Sequence, residues 1–71
     1  MTEERQRHNT RHIAAHIVET PTGKVSMGVV DIVDGNVVGW HAMQGEEPRT
    51  EWLGGVITIT RRGETLRYER R

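Results

Sequence analysis

The stretch RHIAAHIV, residues 11–18, decides how this chain is read. With His8 just upstream, it carries histidines at 8, 12 and 16, the spacing at which helical side chains share one face about 6 Å apart per turn. That would bring three imidazoles within reach of one metal ion. A helix needs an apolar stripe, however, and no apolar residue precedes Ile13 to complete one, while Asn9 and Thr10 interrupt the run. As a strand, the same residues send Ile13, Ala15 and Ile17 to one face without exception, and His12, Ala14, His16 and Val18 to the other. His12 and His16 then stand roughly 13 Å apart and cannot share an ion. The strand reading predicts no metal site and leaves His12 or His16 facing solvent, a cross-strand carboxylate or a symmetry mate.

The same alternation continues along the chain. Eight valines and five isoleucines dominate the apolar residues, phenylalanine is absent, and turn residues recur every 8 to 12 positions. This is the pattern of an antiparallel β domain. It predicts an all-β fold of five strands, about 12–18, 24–33, 36–43, 51–60 and 64–69, joined in order as a meander that forms an open curled sheet or a small barrel. Residues 1–9 are almost wholly polar and read as a disordered tail, leaving 10–71 as a single domain.

Two hairpins anchor the register. In VVDIVDGNVVGW, residues 29–40, Asp34-Gly35 supplies a turn between valine-rich runs. A two-residue loop places Val30 and Ile32 beside Gly39 and Val37; a three-residue loop places them beside Trp40 and Val38. The second gathers the larger apolar face, lets Trp40 cover Gly28, and is the expected one. In VITITRRGETLRY, residues 56–68, pairing Thr60 with Thr65 sets Ile57, Ile59, Leu66 and Tyr68 on one core face, with Arg61, Arg62 and Gly63 in the turn. Pro21 and Gly23 make the first reversal, and QGEEPRT, residues 44–50, is a polar loop. Gly54-Gly55 lacks the spacing and the lysine of a phosphate loop and marks a bulge or a close backbone approach.

Bulk composition limits what the chain can do. Seventy-one residues bury only roughly 60% of the surface that the unfolded chain exposes, so such domains lean on disulfides, metal or oligomerisation. There is no cysteine, which removes the first of these and thiolate metal sites with it. The opening MTEERQRHNT lacks the apolar core of a signal peptide, and no apolar run approaches a membrane span, so a soluble, cytoplasmic protein is expected. Net charge is zero but uneven: +1 over residues 1–12, −4 over 13–48 and +3 over 49–71.

GVVDIVDGNVVGW (28–40) followed by TEWLGGVITI (50–59) resembles the small N-terminal β segment of amidohydrolase-superfamily enzymes. Those proteins open with such a hairpin, after which a strand leads to a Pro-Gly turn and a metal-binding His-x-His. Here Ile59 is followed by TRRGETLRYERR (60–71), with neither feature. The resemblance therefore implies a β unit of similar shape and none of the family's catalytic positions.

No other constellation points to chemistry. Ser26 is the only serine, set in a strand, and the carboxylates occur as Glu46-Glu47 in a loop and as Asp31 and Asp34 around a hairpin. The expected function is non-enzymatic, without cofactor. Trp52 and Val56 lie on the opposite strand face from Leu53, Ile57 and Ile59, so a second apolar face calls for a cover. The expectation is a protein partner, a second copy of the chain, contacted through Trp40, Trp52, Val56 and Thr58. The alternative is a nucleic-acid-binding barrel using Arg61, Arg62, Arg67 and Tyr68 for phosphate contact and base stacking.

Overall fold

The computed structural model describes residues 10–45 and 47–71. The expected tail, 1–9, with His8, and Glu46 of the loop pair lie outside the described residues. The described chain is all-β, with six strands: β1 Thr10–Thr20, β2 Gly23–Val33, β3 Asn36–Ala42, β4 Thr50–Trp52, β5 Val56–Arg62 and β6 Thr65–Arg70. RHIAAHIV is the middle of β1. One sheet holds them in the order β3-β2-β1-β5-β6, with β4 also on β1. It is open and curled: β6 approaches β3, but no ladder joins the two.

The connectivity departs from a simple meander in one place. β1 pairs with β2 antiparallel, but with β4 and β5 in parallel, so the sheet is mixed. β3 and β4 run the same way on opposite sides of the β1–β2 pair. No tight turn can join parallel strands. The chain therefore passes from β3 to β4 across the β1–β2 pair instead of folding back as a hairpin.

β4 and β5 are the predicted fourth strand, split at Leu53–Gly55. Between the pairs His12/Thr50 and Ile17/Val56, β1 advances five residues while β4–β5 advances six. Gly54 and Gly55, at φ 72° and 65°, absorb the extra residue in a backbone conformation that L side chains resist. Leu53 N–H to the Ala14 carbonyl (2.9 Å) and Ile17 N–H to the Gly55 carbonyl (3.2 Å) bracket the excursion.

The other edge of β1 is interrupted at the same level: Met27 adopts φ 50°, and the His16/Met27 pair is missing from a β1–β2 ladder whose register is otherwise unshifted. Both strands change side there, which corrects the uniform alternation expected of β1. Ile13 and Ala15 face the core, but Val18 follows them and Ile17 turns out. Val18 then sits over Gly28, where an added Cβ would lie 2.6 Å from its Cγ2. It is Val18, not Trp40, that covers Gly28.

The β2–β3 hairpin combines the two registers. Asp34 and Gly35, at φ 53° and 86°, form a two-residue loop that pairs Val33 with Asn36 and Ile32 with Val37. Positive φ at both central positions is what a type I′ turn requires, so Asp-Gly favours the tighter loop over the expected three-residue one. A bulge at Val38 then shifts the ladder and restores Val30 opposite Trp40. Val38 is left 62% exposed. In the β5–β6 hairpin, Arg62 pairs with Thr65 and Thr60 with Arg67, so the expected Thr60–Thr65 pair is displaced by two residues. Gly63, at φ 64°, opens a two-residue turn. An even shift preserves which side each residue faces, and Ile57, Ile59, Leu66 and Tyr68 share the core face as expected.

The core is the concave side: Ile13, Ala15, Val18, Val30, Ile32, Val37, Ile57 and Ile59, edged by Val25, Trp40, Leu53, Leu66 and Tyr68. Each fully buried Ile or Val contributes about 1.5–3 kcal/mol. Arg11 closes one end of this side. Its Nε and Nη2 donate to Glu51 (3.1 and 2.8 Å) and its Nη1 to the Tyr68 hydroxyl (3.3 Å), tying β1 to β4 and β6.

Candidate functional site

The convex face is where the polar chemistry gathers. Ala14 and Val29 pair across β1 and β2 on this side, away from the core cluster, yet are 0% and 1% exposed. The chain between β3 and β4 is held on this side by Met43 N–H on the Met27 carbonyl (2.8 Å) and by Glu47 on His41. Gly39 is small where Asp31 leans across beside this strap.

Four titratable side chains form a chain beside the strap. His12 Nδ1 donates to Asp31 Oδ1 (2.7 Å), because an ionised carboxylate can only accept. Asp31 Oδ2 lies 3.9 Å from His41 Nδ1, and His41 Nε2 is shared between the two Glu47 oxygens at 3.1 and 3.2 Å. The Gln44 N–H donates to Glu47 Oε2 (3.0 Å), and this bond, followed by that from His41, holds the Glu47 carboxyl below the usual carboxylate range. Carboxylates alternate with imidazoles, so each ring binds an acid rather than presenting a lone pair to a shared centre. Among the described residues no group of three His, Cys, Asp or Glu is set to hold a metal ion.

His16 lies on the same face with a different task. The Gly55 N–H donates to His16 Nδ1 (3.0 Å), so that ring nitrogen is the acceptor in the contact. Trp52 stands edge-on to it, with ring centroids 4.9 Å apart at 81°. Trp52 is 49% exposed, and Met27 of β2 is 43% exposed. Ile17 and Val56, neighbours across the parallel ladder, extend the apolar strip half-buried. Next in line, Thr58 donates to Glu19 (3.0 Å), and Arg71 Nη2 reaches the same carboxylate oxygen at 2.6 Å. Arg71, then Thr58, lowers the Glu19 pKa.

The predicted contact residues therefore divide. Trp52, Val56 and Thr58 share the convex face. Trp40 packs against the core on the concave side and does not join them. The predicted nucleic-acid set divides as well: Arg62 and Arg67 follow the convex side with Thr60, while Arg61 and Tyr68 follow the concave side with Ile59. Tyr68 is held there by Arg11, so its ring and the Arg67 guanidinium do not form one stacking surface. The carboxylate expected opposite His12 is Asp31. His41 went unread in the sequence and Glu47 was read only as a loop carboxylate, although Asp31, Gly39 and His41 follow from the Asp34-Gly35 turn once Val38 is placed in a bulge.

The molecule is thus a small all-β domain: an open, curled, mixed sheet with a strapped convex face. Comparison with protein-family models, curated proteins and solved structures finds no match for the chain. No helix among the described residues is long and apolar enough to cross a membrane.

Proposed function

We propose that this is a non-enzymatic domain of the cytoplasm that acts by protein contact, with a second copy of itself as the partner. The observation that carries the reading is Trp52. A half-exposed tryptophan braced by His16, in a strip with Met27, Ile17 and Val56, has the make-up of an interface centre. The clustered acids and imidazoles have a structural task nearby, fastening the strap on the face of Ala14 and Val29, and this favours contact over catalysis. Small size favours it too, since a partner's surface supplies burial that 71 residues cannot.

Sedimentation over a wide concentration range tests the proposal. The expected result is a mass that rises toward twice that of the chain, with Trp52→Ala displacing the transition to higher concentration. A single-chain mass at millimolar protein would overturn it.

A further inference from the structure

Among the described residues, His41 alone has a carboxylate at each ring nitrogen. Its Nε2 lies 3.1 and 3.2 Å from the two Glu47 oxygens, and its Nδ1 lies 3.9 Å from Asp31 Oδ2. The first contact is a hydrogen bond; the second, at that length, is not. A neutral imidazole carries one N–H. Spent on Glu47, it leaves Nδ1 with a lone pair turned on an ionised oxygen, and two acceptors keep apart. Asp31 finds no substitute donor opposite it, for its partner on β3 is Gly39, and its Oδ1 already accepts from His12 Nδ1 at 2.7 Å. Glu47 stays ionised near neutral pH, because the Gln44 N–H and then His41 hold its carboxyl below the usual range. Arg49, the cation of the connection, makes no hydrogen bond or ion pair among the described residues, and Glu51 of β4 is turned to Arg11. The groups facing His41 are therefore His12 from β1, Asp31 from β2 and Glu47 from the connection.

We infer that the gap at His41 Nδ1 is a proton site: uptake of one proton there closes the row His12–Asp31–His41–Glu47 and clasps the connection between β3 and β4 onto the sheet. The proton comes from solvent, which the half-exposed ring meets directly. Nδ1–H then points at Asp31 Oδ2 and turns an opposition of acceptors into a charge-assisted hydrogen bond, while Nε2–H keeps Glu47. Imidazole is the side chain that makes this change between about pH 5 and 8. The segment it fastens hangs between two left-handed residues, Gly45 at φ 69° and Arg49 at φ 62°, with Glu47 between them as its anchor to β3. The connection leads into β4, whose first residue, Thr50, is paired with His12 at the far end of the row. The clasp tightens as pH falls through neutrality and is undone again once acid protonates the carboxylates. It acts on the fold itself and needs no partner.

Water-exchange NMR of the Met43 and Gln44 amides tests this, with each rate divided by that of an unstructured chain at the same pH. The native chain is expected to protect both amides about threefold to tenfold more at about pH 6 than at about pH 8, the gain of one hydrogen bond. The β5 amides show no such difference. Asp31→Asn supplies what the proton supplies: its carbonyl accepts from His12, and its amide N–H donates to the neutral His41 Nδ1. In that variant the protection at the higher pH rises to the native level at the lower one, and the pH dependence disappears. His41→Gln, which cannot gain the proton, is flat with pH and no better protected than the native chain at the higher pH. Circular dichroism confirms that each variant folds; should Asp31→Asn fail to, the native profile and His41→Gln decide. Equal native protection at both pH values overturns the inference. So does a pH dependence that survives in either variant, since the proton then acts elsewhere. An Asp31→Asn profile that is flat but low overturns it too, because the missing hydrogen is then not what loosens the clasp.

Discussion

The two sides of β1 solve the problem of cover differently. On the concave side Ile13, Ala15 and Val18 are buried by apolar side chains from four other strands. On the convex side Ala14 is as fully buried, on the face where polar contacts hold down the connection between β3 and β4. Burial on the first side comes from the hydrophobic effect and does not depend on pH. On the second it depends on His41, Glu47 and a few backbone bonds, so the two sides should fail under different insults.

The largest effect is expected in the core. Ile57→Ala should cost about 2–5 kcal/mol, read as a lowered urea midpoint. A loss no greater than that of a surface variant would erase the contrast. Gly28→Ala should cost about 1–3 kcal/mol, because its Cβ meets Val18 at 2.6 Å. Adding Val18→Ala to that variant should recover part of the loss, a coupling that double-mutant analysis measures.

On the convex side, acid is the sharper probe. Glu19 and Glu47 on this side have carboxyls held low, by Arg71 and by the Gln44 N–H respectively as the leading cause, while Glu51 at the rim of the concave side is held low by Arg11. A lowered folded-state pKa means stability that is complete above the unfolded value of 4.5 and lost as pH falls through the folded values. The urea midpoint should therefore fall from about pH 5 downward. Glu47→Gln should remove part of that slope, and an unchanged slope would detach the strap from the titration. His41→Ala should raise the exchange rate of the Gln44 amide while the amides of β5 keep their protection. The smallest stability change is expected for Trp52→Ala, within about 1 kcal/mol, since that ring is half in solvent before any partner arrives.

What was legible in the sequence follows the same division. The all-β class, the side taken by Ile57, Ile59, Leu66 and Tyr68, and the Gly54-Gly55 excursion came from local rules of alternation and turn chemistry. Those rules fail where one side change depends on another strand. Val18 replaces Ile17 in the core only because Met27 breaks the neighbouring ladder and β4–β5 carries one residue more than β1. The strap was hidden for a related reason. QGEEPRT reads as a hairpin loop unless β4 is known to run parallel to β1, and parallel pairing leaves no mark in a three-residue strand. The His12–Asp31 pair was foreseeable as a class of contact, whereas its continuation to His41 needed the Val38 bulge.

The parallel pairing of β1 also orders events in time. β1 meets β2 through a two-residue reversal, but its other edge waits for residues 38 positions downstream, as in His12 with Thr50. Contacts so distant in sequence form slowly, on a scale of milliseconds to seconds in sheet proteins. Until β4 and β5 arrive, the 11-residue β1 offers an unpaired edge, and such an edge recruits other chains. The polar hydroxyls and imidazoles spaced along β1, at Thr10, His12, His16 and Thr20, interrupt that edge for as long as the wait lasts.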